Sequence, residues 1–343
     1  MTATSGGRPA AVVRMTAFEG RAMGSPLRLT LVTTAPDPDG GWDAVRDEFE
    51  LAEEAMSRFR DTSELTRLNR SAGSGRTVVP SARLRIALAA AERARRVTNG
   101  RFDARVLGAL DRLGYRGASL VPAAAAGEVD GGERAAGTAG AGGMPSVRRS
   151  GRRRVAIDAP LDLGGIGKGL TLRWAAARLD RLGWTDFLLE AGGDLVARGR
   201  PTDAAAWTVG VEDPAGTVEP LAAIAVPPPG GAVATSSVRV HRWAVGGRAV
   251  HHLLDPSTGE PGGGGLLSAT VAGPDPAWAE VWSKTLFLAG ANAIAAEARA
   301  RGLAAWWVDE AGVVGMTPAA RQRSAWVAGE DGSAERLGPA VRS

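Results

Sequence analysis

The sequence predicts an α+β protein with a mainly antiparallel sheet core and flanking helices. Three observations carry that reading. Short strand-like runs bounded by Gly, Pro, Asp and Asn fill most of the C-terminal half. A few longer segments show a helical period. No regular alternation of strand and helix joins them into a parallel sheet. With 343 residues, 44% hydrophobic and 23% charged, the chain can bury a substantial core. We read one domain over 11–320, with a disordered start over 1–10 and a tail over 321–343.

Residues 11–34 alternate around Val12, Met15 and Phe18, then Leu27, Leu29 and Leu31. They read as a hairpin bending at Met23-Gly24-Ser25-Pro26. Val45, Phe49, Ala52 and Met56 give 42–59 a helical period. Thr62 or Ser63 can cap a short helix, and Ser81 starts another that stops near Asn99-Gly100. Residues 117–154 are rich in Ala and Gly and poor in β-branched and aromatic side chains. We expect a low-complexity surface insertion there. Order returns with a strand at 155–157 and a helix over 167–182. Strands follow at 187–189, 207–211, 222–226, 238–245, 250–254 and 267–272. A long helix over 277–301 precedes final strands at 304–308 and 313–316.

Composition excludes several classes. There is no cysteine, so disulfides and thiolate metal sites are absent. No run approaches the ~20 apolar residues of a membrane span. The first twenty residues lack a signal-peptide core, and we expect a cytoplasmic protein. The run RRSGRRR (148–154) lacks interleaved aromatics, so we read a solvated loop exit and expect no nucleic-acid partner.

Four glycine-punctuated segments carry the chemistry: LDLGGIGKG (161–169), EAGGDL (190–195), VATSS (233–237) and HHLLDPSTGEP (251–261). Each sets glycine or a small hydroxyl residue beside an acid, a base or a histidine. Backbone N–H groups can then approach a ligand closely with charged side chains in reach. In the first, Asp162 precedes a strand–turn–helix start with Lys168. It is neither a P-loop nor a dinucleotide fingerprint. Gly192-Gly193-Asp194 serves equally well as a self-satisfied turn or a ligand contact. All three histidines, His241, His251 and His252, fall within twelve residues. On the last long helix Glu280, Ser283 and Lys284 share one face.

In order, these segments resemble the FAD:protein FMN transferase family, the ApbE-like proteins. Met23-Gly24-Ser25 is similar to its opening element. Met56-Ser57-Arg58-Phe59-Arg60-Asp61-Thr62-Ser63-Glu64-Leu65-Thr66-Arg67-Leu68-Asn69 is similar to its second, and Thr98 to Asp103 to its third. The resemblance runs from about Met23 to Met316, apart from the insertion. It implies a two-subdomain T-fold-like architecture. It also implies cleavage of FAD, release of AMP and attachment of FMN by a phosphoester to a threonine of an acceptor flavoprotein domain. The alternatives are a flavin-binding or carrier protein, or an FAD pyrophosphatase, with little transfer.

Residue by residue, the resemblance places the flavin against Met23, Phe59, Arg101, Phe102, Asp103, Asp162, Lys168 and His252. Catalytic positions fall on His252, Asp255 and Lys284. A Mg²⁺ ion would be held at Gly165, Glu280 and Ser283. The family's helix ligands are an Asp and a Thr, where this chain has Glu280 and Lys284. A protonated lysine cannot bind a cation. Either Mg²⁺ binds weakly through Glu280, or the ammonium takes over its charge.

Overall fold

Strand β1 (Arg14–Ala22) and strand β2 (Ser25–Thr33) open the structure as a hairpin closed by two residues, Met23 and Gly24. Both have positive φ, 49° and 72°. That backbone matches the right-handed strand twist in a two-residue turn, and it is an unusual conformation for methionine. The computed structural model describes residues 13–35, 37–115, 147–150, 153–328 and 334–336. The expected start over 1–10 and most of the expected insertion lie outside these residues.

Helices α1 (Asp39–Met56), α2 (Glu64–Asn69), α3 (Ala82–Val97) and α4 (Leu107–Arg112) follow. Ser63 Oγ accepts the Thr66 N–H at 3.0 Å, and Ser81 Oγ accepts the Leu84 N–H at 3.2 Å. Each hydroxyl satisfies a donor that the first helical turn leaves without a partner. Strands β3 (Val147–Ser150) and β4 (Arg154–Ile157) form a hairpin ahead of α5 (Gly167–Arg181). Within it Arg148 pairs with Asp158, and Arg154 Nε donates to Thr77 Oγ1 at 2.7 Å.

The C-terminal half holds β5 (Phe187–Ala191), β6 (Asp194–Arg198), β7 (Trp207–Val211), β8 (Ala222–Val226) and β9 (Gly230–Ser237). Short hairpins β10 (Arg242–Val245) with β11 (Arg248–His251), and β12 (Leu254–Asp255) with β13 (Glu260–Pro261), lead to β14 (Leu266–Gly273). Helices α6 (Pro276–Phe287) and α7 (Ala291–Ala300) follow. The chain then forms β15 (Ala304–Asp309), β16 (Val314–Met316), α8 (Pro318–Arg321), β17 (Ser324–Ala328) and β18 (Ala334–Arg336).

The main sheet runs β1-β2-β5-β6-β9-β14-β15-β16, and a second runs β18-β17-β8-β7. Every described pairing is antiparallel. Strand alternation splits the core into layers. Leu189 and Val196 face Phe49 of α1 and Leu172, Ala175 and Leu179 of α5. Their neighbours Leu188, Leu195 and Ala197 face the second sheet through Trp207 and Ile224, with Trp306 of β15 in the same layer. Helix α6 rests on β9 through Ala279, Ala232 and Ala234. Among the described residues no helix is long and apolar enough to cross a membrane.

Several elements differ from expectation. The stretch 277–301 is two helices, because Gly290 adopts φ 75° and breaks the α-helical ladder. Strands β6 and β9 were not expected. One opens on the Gly192-Gly193-Asp194 turn and the other on Pro227-Pro228-Pro229-Gly230, and both starts look like loops. Strand β17 pairs with β8, so ordered chain continues past 320.

Candidate active site

A cavity of about 1410 Å³ opens where these layers meet. Its walls come from the β1–β2 turn, the loop after α1, the start of α5, the β5–β6 turn, β9, the stretch at 252–256 and α6. All four glycine-punctuated segments reach it. Gly192 explains one close approach: a Cβ there would lie 2.6 Å from Ser25 Oγ. The Gly192 N–H donates to Pro26 O at 3.0 Å. The two tight turns therefore dock on each other.

That docking delivers Asp194 to Lys168. The ammonium of Lys168 is ion-paired with Asp194 and lies 3.6 Å from Glu280 Oε1. Asp194 Oδ1 accepts the Thr235 N–H at 3.1 Å, and Glu280 Oε2 accepts the Gly169 N–H at 2.8 Å. Burial alone would lower the Lys168 pKa, but the two carboxylates outweigh it and raise it. Burial raises the Glu280 carboxyl, against the pull of Lys168. Lys284 differs. Its ammonium makes no ion pair within 4 Å among the described residues, and burial lowers its pKa. A Cβ placed on Gly165 would lie 2.5 Å from Lys284 Nζ and 3.0 Å from the Phe102 ring.

On the opposite side of the Gly164-Gly165 loop stands Asp162. Its Oδ1 accepts the Gly164 N–H at 2.5 Å, and its Oδ2 lies 2.6 Å from Arg58 Nε. The Arg58 N–H is not aligned along that contact, so the bond is ionic rather than a directed hydrogen bond. Arg58 spreads its guanidinium over Phe59, 4.2 Å from the ring centre, and over Tyr115 at 5.1 Å. Tyr115 then stacks on Trp243 and on His252, with ring centres 5.4 and 5.8 Å away. Burial and Asp162 push the Tyr115 phenol up to about 12.

Each sequence-nominated residue can now be placed. Met23, Phe59, Arg101, Phe102, Asp103, Asp162, Gly165, Lys168, His252, Glu280 and Lys284 all line the cavity. Met23 N–H bonds Glu53, which fixes its unusual backbone. Arg101 Nη1 donates to Glu297 at 3.0 Å, and Asp103 caps the next turn by accepting the Arg105 N–H at 2.9 Å. The imidazole of His252 is half-buried, and that burial together with Lys284 holds its pKa well below the ordinary value. Its Nδ1 has no protein partner among the described residues. Two residues stand apart. Ser283 is buried behind the wall, where its Oγ meets Ser236 Oγ at 3.0 Å. Asp255 does not line the cavity. Its Oδ1 accepts the Ser257 N–H at 2.8 Å and the Ser257 hydroxyl at 2.6 Å, so its carboxylate shapes the turn.

The donor set does not fit a divalent cation. Mg²⁺ demands near-octahedral oxygen ligands. Here both Glu280 oxygens already face donors. An ammonium also lies against Gly165. Among the described residues no three His, Cys, Asp or Glu gather as a metal site.

Sequence reasoning did not nominate Arg58, Tyr115 or Trp243. Arg58 lies within the Met56–Asn69 element, where no local signal separates it from the neighbouring arginines. Tyr115 is the chain's one tyrosine and stands at the edge of the low-complexity stretch. That uniqueness was the available signal.

Comparison with known proteins bears on the family. The ApbE family model matches residues 23–307. An FAD:protein FMN transferase of Salmonella typhimurium is 26% identical over 324 residues, covering 90% of this chain and 87% of its own. One from Klebsiella pneumoniae is 28% identical over 169 residues, 48% of each chain. The crystal structure of an ApbE protein from Thermotoga maritima superposes with a TM-score of 0.78 at 24% identity, over 90% of this chain and 99% of that one. The flavinyl transferase ApbE of Pseudomonas stutzeri gives 0.75 at 24% identity, over 91% and 98%. The family model covers most of the chain, and this chain belongs to the ApbE family.

Proposed function

We propose that this chain is an FAD:protein FMN transferase, which moves FMN from FAD to a threonine hydroxyl of an acceptor flavoprotein domain and releases AMP. One observation carries the reading. A single cavity joins an aromatic wall, in which Phe59 stands edge-on to Tyr115 and Tyr115 stacks on His252, to a glycine loop flanked by lysines. The wall suits an isoalloxazine ring, and the loop at the start of α5 suits a diphosphate. The cavity exceeds the ~300–1,000 Å³ of an ordinary small-ligand site, which leaves room for a dinucleotide and an entering peptide.

Phosphoryl transfer asks for positioning and charge neutralisation more than for covalent chemistry by the protein. The acceptor oxygen attacks the phosphorus of the FMN half. The bond from that phosphorus to the bridging oxygen breaks, and AMP leaves with the oxygen and the electron pair. His252 lines the cavity and is neutral at pH 7, so its imidazole can take up the proton of the threonine hydroxyl. The hydroxyl proton passes through it to water. Asp162 holds the Gly164-Gly165 loop from one side and Arg58 from the other. Asp255 acts through the turn that follows His252. No step here runs through a divalent cation.

Intact mass spectrometry of an acceptor domain incubated with this protein and FAD tests the reading. The expected product gains the mass of FMN less water at one threonine. FAD bound tightly but unconsumed would favour the carrier alternative, provided a known transferase modifies the same domain.

A further inference from the structure

We propose that the Lys284 ammonium receives the FAD diphosphate in place of a divalent cation, so that this chain binds and cleaves FAD without added metal. This rests on the transferase reading above.

The argument starts from the unequal state of the two lysines. Lys168 is committed, with Asp194 and Glu280 both within ion-pair distance. Lys284 reaches the cavity with no ion pair among the described residues. Its Nζ lies against Gly165, in a cavity-lining loop that carries no Cβ at Gly164 or Gly165. An anion that enters along the Gly164-Gly165 loop therefore meets one cation that is not already neutralised.

Charge counting reaches the same conclusion. Asp194 already matches the charge of Lys168, and Glu280 adds a negative charge whenever it is ionised. A diphosphate adds two more. Without a counter-charge the buried site would repel its substrate, and desolvated like charges are strongly unfavourable. Lys284 restores neutrality before the ligand arrives. A divalent cation added beside Lys284 would place like charges side by side, and the Glu280 carboxylate is already engaged by Lys168 and the Gly169 N–H.

The reaction stays balanced with no further reactant. Threonine O–H and FAD give a phosphodiester-linked FMN and AMP. One P–O bond forms, one breaks, and one proton goes to water. Lys284 neutralises the non-bridging oxygens and the charge that grows on the leaving AMP oxygen. It keeps its own protons throughout.

The test uses the full chain and two readouts, FAD affinity by flavin fluorescence and FMN transfer by intact mass. Each is measured in EDTA and with magnesium. We expect the wild-type affinity and transfer rate to change less than about twofold between the two conditions. We expect Lys284→Met, with an unchanged thermal midpoint, to lose about tenfold or more in FAD affinity in both, as for a lost hydrogen bond to a charged group. Lys284→Thr, which offers a neutral oxygen, is expected to bind FAD better with magnesium than in EDTA. If wild-type binding and transfer collapse in EDTA and return with magnesium, the proposal is wrong and the transferase reading stands. If no FMN reaches the acceptor in either condition, the transferase reading falls, and the affinity of Lys284→Met still decides the role of Lys284. An affinity equal to wild type overturns it.

Discussion

Arg58 Nε lies 2.6 Å from Asp162 Oδ2, and the two side chains are only 9% and 10% exposed. The pair ties the loop after α1 to the Gly164-Gly165 loop across the mouth of the cavity. It also clamps the aromatic wall, because the same guanidinium covers Phe59 and Tyr115. A buried ion pair contributes little against an apolar replacement, but breaking one side strands the other charge.

Arg58→Met should therefore cost about 3–5 kcal/mol, read from the urea unfolding midpoint. The double change Arg58→Met with Asp162→Asn should cost less than Arg58→Met alone. Asparagine keeps an oxygen for the Gly164 N–H and carries no charge. A double variant at least as unstable as the sum of the two singles would show that the pairing is not the controlling interaction.

Acid should weaken the fold through its histidines. Burial and the facing Arg242 hold His251 down to about 4. Burial lowers His241 and His252 as well, with Lys168 and Lys284 adding to it. The folded pKa lies below the unfolded value of about 6.5, so the unfolded chain takes up protons first as pH falls. Stability is complete above about 6.5 and declines as pH drops toward about 4. His251→Gln should make that decline shallower in a series of thermal midpoints. An unchanged slope would mean that other groups govern it.

Much of this was legible before any coordinates. The hairpin, the Ser63 and Ser81 caps and the helix from Gly167 each announce themselves through local chemistry that tertiary packing does not override. The cavity residues were legible only as an ordered set, since no single glycine segment exceeds the signal of a turn. What could not be read is who pairs with whom. Nothing in 161–169 and 190–195 says that Lys168 reaches Asp194 rather than the ligand. Nothing near 255 says that its carboxylate turns back on Ser257. Tyr115 was hidden because its four ring partners come from three distant segments.

Two glycines of one segment should fail in opposite ways. At Gly169 a Cβ would lie 2.5 Å from Pro276 O and 2.6 Å from Ala277 Cα, both backbone atoms that cannot step aside. Gly169→Ala must push α5 from α6, and it loosens the Gly169 N–H bond to Glu280. Overpacking of that kind costs about 1–3 kcal/mol. The thermal midpoint should fall by several degrees. At Gly165 the nearest atom is Lys284 Nζ, the far end of a flexible chain. Gly165→Ala should therefore leave the midpoint within a degree or so of wild type, because the lysine can swing away. It should weaken FAD binding all the same, since the ammonium and the open backbone are displaced together. The comparison is decided by differential scanning fluorimetry and FAD titration on both variants. A stable Gly169→Ala, or a Gly165→Ala that unfolds early and binds FAD normally, would reverse the roles assigned to the two positions.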